Sequence, residues 1–427
     1  MATPYPGGVS ILDRLRPPSA TRLAVRVTPD ALRHVRAGHP WVYESSITSI
    51  TEGGHPGDLA VIFGEDRQFV AIGLYDPSSP IRLKILHAGR PRQIDRAFWL
   101  DRLTVALHAR DELRRGGRTT GFRWVHGEND ALPGLVVDVY ERTAVVKLYS
   151  TAWVAHLAEV VPAMVEAGRV DDVVLRLSRA VQGAGAGPLH EGDALHGEAP
   201  SGPVLFTEHG LAFEADVVHG QKTGHFLDQR ENRQRVRALA SGARVLDVFA
   251  ATGGFSVYAA AGGATHVTSL DISAPTLAVA ERNMAHNDGI PAVRACVHET
   301  MQQDAFQALR DLAAARRRFD LVVIDPPSFA QRQSNVDKAL RAYRQLTEAG
   351  LAVLADGGRL VQASCSSRVR PDELVAAMTR GAQLAGWDLN IRERTGHPAD
   401  HPIGFPEGEY LKAVFAAPRR LPRHARP

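Results

Sequence analysis

Cysteine is scarce in this sequence: only Cys296 and Cys365 occur among 427 residues. Two thiols cannot form the disulfide framework of a small secreted domain, and their scarcity fits a reducing compartment. The sequence also lacks any run of about 18 apolar residues, and its first 20 residues lack the apolar segment of a signal peptide. We therefore predict a soluble, cytoplasmic protein that has no membrane partner.

A strong charge of either sign is absent as well. Lysine and arginine total 50 and the acidic residues total 47, so the formal net charge is +3. This bias is too small to identify a nucleic-acid partner by itself. Arginine is nevertheless clustered near the N-terminus, and its planar guanidinium suits bidentate contacts with phosphate. The clusters indicate either phosphate-binding surfaces or ordinary solvated surfaces, and composition leaves both open.

Turn-forming residues divide the N-terminal half into short segments. Residues 1–20 are rich in proline and glycine, and we predict that they are disordered. Residues 21–90 contain the strand-like runs "RLAVRV", "DLAVIF", "FVAIGLY" and "IRLKIL", which predict a small β-barrel. Helix-like and strand-like segments follow in residues 91–190 and predict a central α+β domain. The glycine- and proline-containing residues 191–206 are predicted to form a linker.

The pattern changes from residue 207 onward. The apolar runs "RVLDVFA", "HVTSLDI", "FDLVVID" and "GRLVQAS" are each followed by a loop and a helix-like segment. Continuous apolar strands that alternate with helices predict a parallel, doubly wound α/β sheet over residues 207–418, before a basic tail at 419–427. Ligands of such sheets bind at the carboxyl ends of the strands.

The stretch "VLDVFAATGGFSVYAA" has the order strand, loop, helix. Gly253 and Gly254 allow a ligand to approach the backbone closely, and the following helix N-terminus can bind a carboxylate. Asp271 lies 24 residues after Asp247, at the usual spacing of an acid that binds ribose hydroxyls. A dinucleotide dehydrogenase would share that acid. However, the turn lacks the Gly-x-Gly-x-x-Gly pattern, and a carboxylate at Asp247 favours the ammonium of S-adenosylmethionine over a pyrophosphate.

Two further predicted strands end in residues that could take part in a reaction. Asp325 is followed by Pro326 and Pro327, which exclude a helix and hold a rigid loop that can meet the amino edge of a base. Cys365 ends the next apolar strand among serines, whereas Cys296 lies in a segment typical of a core residue. Cytosine C5 is a poor nucleophile, so a C5 methyltransferase first adds a thiolate to C6. Cys365 is either that nucleophile or a packing residue, and we predict the nucleophile.

Several stretches together carry a family resemblance. They are "GHPWVY" and "YDPSSPIRLKIL" in the first segment, "DALPGLVVDVY" in the second, and "GQKTGHFLDQRENR", "DVFAATGGFSVYAA", "DPPSFA", "SCSS" and "HPIGFPEGEYLK" in the third. On these residues the chain resembles the bacterial 23S rRNA cytosine-C5 methyltransferases, which combine an RNA-binding PUA domain, a central α+β domain and a Rossmann-like methyltransferase domain. The resemblance extends from about residue 22 to residue 415.

The resemblance implies S-adenosylmethionine as methyl donor and 23S rRNA, or a large-subunit precursor, as substrate, and it leaves a homodimer open. Cys365 is implied as the nucleophile and Asp325 as a catalytic residue that faces the base. Asp271 is expected to hold the ribose and Asp304 to read the adenine amino group. The implied cofactor-binding residues are Gln221, Phe226, Asp247, Gly253, Gly254, Phe255, Asp271, Ile272, Asp304, Asp325 and Pro326. The implied RNA-binding residues are Arg22, Arg26, Arg33, Arg36, Arg82 and Lys84. No metal site is predicted.

Two other functions remain open at this point. A methyltransferase with the same fold and cofactor can modify an exocyclic amino group, a reaction that needs no cysteine and that Asp-Pro-Pro-aromatic sequences often serve. A non-catalytic RNA-binding assembly factor with a residual cofactor pocket is the other, and the intact acidic residues of the site argue against it. The Asp-Pro-Pro loop has no second cysteine of the kind another group of RNA cytosine-C5 methyltransferases uses. Glu407 and Glu409 are therefore the candidate general bases.

Overall fold

The computed structural model describes residues 10–220, 222–330 and 332–422. Contacts divide the chain into two compact units. The N-terminal unit consists of the residues up to Thr207 together with Ala215–His225 and Ala399–Phe405. The C-terminal unit consists of Glu208–Glu214, Phe226–Pro398 and the residues from Pro406 onward.

The N-terminal unit begins with a six-stranded sheet and one helix. Its elements are β1 (Leu23–Val27), α1 (Pro29–Arg36), β2 (Trp41–Tyr43), β3 (Ile47–Ile50), β4 (Leu59–Phe63), β5 (Phe69–Tyr75) and β6 (Ile81–Ala88). The strands are ordered β2-β6-β5-β4-β1-β3. Apolar side chains of five strands, including Val25, Ala60 and Leu83, form a small core. The sequence predicts four of these strands, but not the short β2 and β3.

A second, five-stranded sheet with helices follows in the same unit. Its elements are α2 (Arg96–His108), α3 (Asp111–Arg114), β7 (Gly121–His126), β8 (Leu135–Tyr140), β9 (Thr143–Leu148), α4 (Leu157–Gly168), β10 (Asp172–Leu177), α5 (Arg179–Ala184) and β11 (Ala194–His196), and β12 (Val204–Glu208) follows. The sheet order is β11-β10-β9-β8-β7. The predicted α+β character of this segment matches these elements.

One hydrophobic core joins the two sheets of the N-terminal unit. Leu59 and Leu74 of the first sheet belong to the same cluster of buried side chains as Trp99, Trp124 and Trp153 of the second segment. The rings of Trp99 and Trp153 lie 5.4 Å apart between centroids. The predicted boundary near residue 90 therefore separates two sheets that share their core, so removing the first sheet would expose apolar surface of the second.

The C-terminal unit alternates strands with helices. Its elements are β13 (Leu211–Ala215), α6 (Arg230–Leu239), β14 (Arg244–Val248), α7 (Gly254–Ala261), β15 (His266–Asp271), α8 (Ala274–Ala285), α9 (Pro291–Ala295), β16 (Val297–Gln302), α10 (Ala305–Ala314), β17 (Phe319–Ile324), α11 (Val336–Val353), β18 (Leu354–Ser364), α12 (Pro371–Leu384), β19 (Trp387–Asp388), β20 (Ile391–Thr395), β21 (Lys412–Ala416) and β22 (Arg419–Arg420).

Seven strands of this unit form one sheet in the order β16-β15-β14-β17-β18-β21-β20. The neighbours from β16 to β18 pair in parallel, whereas β21 pairs antiparallel with both β18 and β20. The strand order reverses between β14 and β17, which creates a crevice at the carboxyl ends of these strands. The doubly wound α/β sheet predicted from the apolar runs is thus present.

The structure differs from the sequence-based expectation at both ends of the chain. Disorder predicted for residues 1–20 is wrong for residues 10–20, because Ile11–Arg14 form a short 3-10 helix and Leu12 and Leu15 are buried. Residues 1–9 lie outside the described residues. In the predicted basic tail, Arg420 lies over the Trp387 ring at 4.2 Å and donates to Asp356 at 3.0 Å. Arginine next to an aromatic face is stabilised by the cation–π interaction, so this part of the tail belongs to the fold.

The segment predicted as a linker also contains regular structure. Within residues 191–206, β11 pairs antiparallel with β10, and β12 begins at Val204. A glycine-rich composition thus marked the turns around short strands and not an unstructured connection. Across the described ranges, no helix combines the length and the apolarity that crossing a bilayer would require.

Candidate active site

The loop between β14 and α7 has an unusual backbone. Phe249, Ala251 and Gly253 all have positive φ, at 64°, 47° and 74°. A Cβ atom added to Gly253 would lie 2.7 Å from the Cβ of Ala280, so only glycine fits at this position. The loop therefore runs close against α8 and turns directly into the N-terminus of α7 at Gly254. A tight loop before a helix N-terminus allows a ligand to approach the backbone.

Side chains from β15 and α8 hold this loop in place. The Asp271 carboxylate accepts hydrogen bonds from the backbone N–H of Ala251 at 3.0 Å and of Ser273 at 2.9 Å. The Asn283 amide donates to the carbonyl oxygen of Thr252 at 2.9 Å. A carboxylate offers about four lone-pair positions, so Asp271 keeps acceptor capacity beyond these two bonds.

Asp247 is completely buried beneath the loop. Its Oδ2 accepts a hydrogen bond from the Ser256 hydroxyl at 2.7 Å, while its Oδ1 has no hydrogen-bond partner among the described residues. Burial raises the pKa of Asp247 to about 7, although the bond from Ser256 acts in the opposite direction. A buried carboxylate oxygen without a partner is costly, and a cationic ligand group would remove that cost. The site thus fits the ammonium of S-adenosylmethionine.

The remaining predicted cofactor residues lie along the same edge of the sheet. Phe255 is buried in the first turn of α7. Ile272 follows β15, and 68% of it is exposed. Asp304 is the N-cap of α10 and accepts from the Gln307 N–H at 3.0 Å. An exposed apolar side chain beside Asp271 suits the face of an adenine ring.

The segment "GQKTGHFLDQR", which contains the implied cofactor residues Gln221 and Phe226, is described only in part. Gln221 lies outside the described residues. The carbonyl oxygen of Phe226 accepts from the guanidinium of Arg233 at 2.9 Å, and Arg233 forms a buried ion pair with Glu208. The Cδ atom of Arg233 would lie 3.0 Å from a Cβ on Gly254. Arg233 therefore links Phe226 to the start of α7, within the C-terminal unit.

The predicted reacting residues meet after β17 and β18. The backbone N–H of Asp325 donates to the carbonyl of Val248 at 3.2 Å, which joins the start of the Asp-Pro-Pro loop to the end of β14. The Cys365 thiol is half-buried and donates to the carbonyl oxygen of Pro326 at a sulfur–oxygen distance of 3.8 Å. β17 and β18 pair in parallel, with Ile324 opposite Gln362, so their carboxyl ends are neighbours.

A cluster of hydroxyl groups beside Cys365 was not predicted from the sequence. The Tyr343 hydroxyl lies 2.8 Å from the Ser364 hydroxyl and 3.0 Å from that of Ser366. Ser366 in turn lies 3.2 Å from the Ser328 hydroxyl and accepts from the Ala330 N–H at 3.3 Å. Burial raises the pKa of Tyr343, so the phenol stays neutral and able to donate. The cluster fixes the two loops to each other.

Lys412 is a further residue near Cys365 that was not predicted from the sequence. It lies on β21 directly opposite Ser364 and is only 4% exposed. Its ammonium donates to the carbonyl oxygens of Ser366 at 2.7 Å and Val369 at 2.6 Å. Burial lowers the pKa of Lys412 to about 8. A lone lysine inside the apolar run "LKAVFAA" was the available signal.

The predicted RNA-binding residues separate into two groups in the structure. Three exposed arginines form no ion pair with a described residue: Arg22, Arg26 and Arg36. Arg33 pairs with Asp30 at 2.6 Å. Arg82 is largely buried and pairs with Glu44.

Lys84 does not suit the predicted role. Its ammonium is buried and paired with Asp76 at 3.0 Å, so it is not presented to a partner at the surface. An isolated buried ammonium would be costly, and the pairing explains why a lysine is tolerated at this position. The described residues contain no group of three side chains that could hold a metal ion.

Comparison with known proteins identifies the family. A family model for S-adenosylmethionine-dependent methyltransferases matches residues 190–415, and a model for PUA-like domains matches residues 25–88. A ribosomal RNA large subunit methyltransferase from Deinococcus radiodurans is 49% identical over 407 residues, which are 93% of this chain and 98% of that protein. The chain belongs to the ribosomal RNA large subunit methyltransferase family. The methyltransferase is also 33% identical over 398 residues to ribosomal RNA large subunit methyltransferase I from Alteromonas mediterranea, covering 91% and 97% of the two chains.

Solved structures support the same fold. A chain from Streptococcus mutans described as a SAM-dependent methyltransferase aligns with a TM-score of 0.77 at 18% identity, covering 92% of this methyltransferase and 99% of that chain. A second structure, at a TM-score of 0.77 and 19% identity, is a methyltransferase complexed with SAH. The predicted family, fold class and cofactor are confirmed: this is an S-adenosylmethionine-dependent methyltransferase with a PUA-like domain.

Proposed function

We propose that this methyltransferase forms 5-methylcytosine in 23S rRNA, with Cys365 as the nucleophile. The observation that carries the proposal is the placement of a half-buried thiol against the carbonyl of Pro326, next in the chain to Asp325. The thiol follows β18, which is separated by β17 from β14, the strand before the cofactor loop. The names of the relatives support rRNA of the large subunit as the substrate. A thiol at this edge is the group that methylation of cytosine C5 requires and that amino methylation does not.

The residues of the chain have distinct roles in this reaction. The Cys365 thiolate adds to C6 of cytosine, which places electron density on C5. S-adenosylmethionine supplies the methyl group when bound. A base then takes the C5 proton, the C6–S bond breaks, and the thiolate is regenerated. Glu407 and Glu409 remain the candidate bases, and the charge of Glu409 is close enough to act on Lys412. Asp325 and Pro326 orient the target cytosine through its amino edge.

The cofactor contacts belong to the same proposal. Asp247 would hold the ammonium, Asp271 the ribose hydroxyls and Asp304 the adenine amino group. Gly253 and Gly254 provide the close backbone approach. The further proposed contacts are Phe226, Phe255, Ile272, Asp325 and Pro326. Gln221 lies outside the described residues and stays a prediction from the sequence. The Oδ1 of Asp247 supports this arrangement, because it has no hydrogen-bond partner in the part of the chain that the structure describes and needs a cationic or hydrogen-bonding group.

The product of the reaction tests the function. The purified full chain is incubated with large-subunit rRNA and with isolated precursor particles, and methyl-labelled S-adenosylmethionine is added. Nuclease digestion and nucleoside mass spectrometry should then detect labelled 5-methylcytidine. Labelled N4-methylcytidine or N6-methyladenosine would instead support methylation of an exocyclic amino group. Absence of label from both substrates would contradict both reactions.

We also propose that the exposed arginines of the PUA-like segment contact RNA phosphates. Replacing Arg22, Arg26 and Arg36 together by glutamine should lower RNA affinity about tenfold or more at low salt and reduce the slope of log affinity against log salt by about two, because three phosphate contacts are lost. Filter binding across a salt series measures both quantities. Arg294→Gln is the control, since Arg294 is an exposed arginine outside the PUA-like segment. An unchanged salt slope in the triple variant would exclude these contacts.

A further inference from the structure

Lys412 holds the turn that directly follows Cys365. It lies opposite Ser364 across the β18–β21 pair, one residue before the thiol. Two of its three ammonium hydrogens are donated to the carbonyls of Ser366 and Val369, at 2.7 Å and 2.6 Å. Both carbonyls belong to the turn after β18, so these bonds connect β21 to the backbone on which Cys365 is mounted.

The two carbonyl oxygens solvate the ammonium of Lys412 but do not neutralise its charge. A buried ammonium is costly unless negative groups lie near it. Three groups raise its pKa against the effect of burial: Glu409 before β21, Cys365 after β18, and Glu373 on α12. Because the interaction between two titrating groups is mutual, a thiolate at Cys365 that favours charged Lys412 is itself favoured by that charge.

Asp325 and Tyr343, two other ionisable groups near the thiol, do not supply a positive charge. Asp325 follows β17 and Tyr343 projects from α11, and the charges of both Cys365 and Asp325 act to raise the pKa of Tyr343. A carboxylate in this position opposes the thiolate. The reaction nevertheless needs the thiolate, because a free cysteine has a pKa near 8.5 and is mostly protonated at about pH 7. Lys412 is the buried cation that offsets Asp325.

We infer that Lys412 is a positioning residue that holds the turn after Cys365 and stabilises the thiolate with a buried positive charge. This inference rests on the proposed role of Cys365 as the nucleophile. Loss of the thiol proton to solvent leaves a sulfur anion beside the ammonium, and no other bond is made or broken. Lys412 acts through Cys365 and does not contact the reacting base.

Alkylation of the thiol without RNA tests the inference. In a Cys296→Ser chain, Cys365 is the single thiol, and its reaction with iodoacetamide is followed from pH 6 to pH 10. The midpoint of the rate profile reports the formation of thiolate, and the plateau at high pH reports access to the sulfur. Lys412→Met should raise the midpoint by about one pH unit and slow alkylation about tenfold near neutral pH, with the plateau unchanged.

Two further variants keep the test decisive. Lys412→Arg retains the charge across the whole pH range, so the midpoint of its rate profile should lie at or below that of the parent chain. This variant provides a test even if Lys412→Met does not fold. Arg368→Gln removes an exposed cation three residues from Cys365, where solvent screens the charge, and should leave the midpoint unchanged. Folding of each variant is checked by its S-adenosylmethionine affinity.

Three outcomes would overturn the inference. They are an unchanged midpoint in a folded Lys412→Met chain, a change confined to the plateau, or a raised midpoint in Lys412→Arg. A plateau effect alone would mean that the lysine only shapes the turn. None of these results depends on methyl transfer. Full turnover by Cys365→Ser would remove the nucleophile proposal while leaving the alkylation result intact, so the two failures are distinguishable.

Discussion

Cys365→Ser should reduce the rate of methyl transfer by about four orders of magnitude or more, while affinity for cofactor and RNA stays close to that of the parent chain. A serine hydroxyl does not ionise near neutral pH, so it cannot add to C6 of cytosine as a thiolate does. The side chains are similar in size, and the contact with the Pro326 carbonyl can be made by either group. The loss would therefore come from chemistry and not from binding.

Single-turnover assays with excess enzyme measure this loss directly. RNA carrying 5-fluorocytosine at the target provides a second readout, because fluorine cannot leave as a proton and the C6 adduct accumulates. The parent chain should form an adduct that survives denaturing electrophoresis, and Cys365→Ser should not. Cys296→Ser is the control, since burial raises the pKa of that thiol to about 11 and makes it a poor nucleophile. An adduct in Cys365→Ser would show that Cys365 only packs.

Asp247→Asn should weaken S-adenosylmethionine binding about a hundredfold, or about 3 kcal/mol, because it removes a buried charge-assisted hydrogen bond. The substitution keeps the shape of the side chain and its bond to Ser256. Calorimetry on the parent and variant chains gives the two affinities. The matched control is Asp288→Asn, which neutralises an exposed aspartate of the same unit and should leave the affinity unchanged. Equal affinity in Asp247→Asn would remove this carboxylate from the ammonium site.

The dependence of binding on pH follows from the pKa of about 7 at Asp247. A cationic ligand group pairs with the ionised form, so affinity of the parent chain should rise as pH increases from about 6 to 8. Asp247→Asn should lose this rise. A parent affinity that did not change over this interval would contradict the ion pair.

Stability of the ligand-free protein should depend on pH with the opposite sign. The pKa of Asp247 is raised from 3.8 to about 7 in the folded state, so its contribution to stability is present below pH 3.8 and is lost as pH rises through about 7. The free energy of unfolding of Asp247→Asn, relative to that of the parent chain, should therefore be greater at pH 8 than at pH 5. Denaturant unfolding at the two pH values measures this difference.

The elements that carry the catalytic edge were predictable because their signals are local. The run "RVLDVFA" contains the whole of β14, and "FDLVVID" contains the whole of β17. The glycines at the start of α7 indicated the tight loop, because the sequence shows directly where a residue without a Cβ atom occurs. Asp325 and Cys365 could be placed together because parallel strands present their carboxyl ends on one side of a sheet.

The rest depends on contacts that sequence spacing does not encode. Tyr343 lies more than 20 residues from Ser364, and its helix reveals only that one face is apolar. Lys84 was predicted to be an exposed basic residue, because its buried partner, Asp76, becomes a neighbour only when β6 folds. The strands β2 and β3 span three and four residues, too few for a periodic pattern to emerge.

The order of strands has a consequence for evolution and for inhibitor design. The candidate cofactor groups Asp247, Asp271 and Asp304 belong to the ends of β14, β15 and β16, on one side of the reversal in the sheet. The reacting groups follow β17 and β18 on the other side, where Asp325 and Pro326 are also candidate cofactor contacts. Substitutions after the latter strands can alter the modified base while the cofactor contacts persist, so one scaffold can acquire new targets. A compound that joins an adenosine-like group to a mild electrophile would bridge the reversal and discriminate against methyltransferases that lack the thiol.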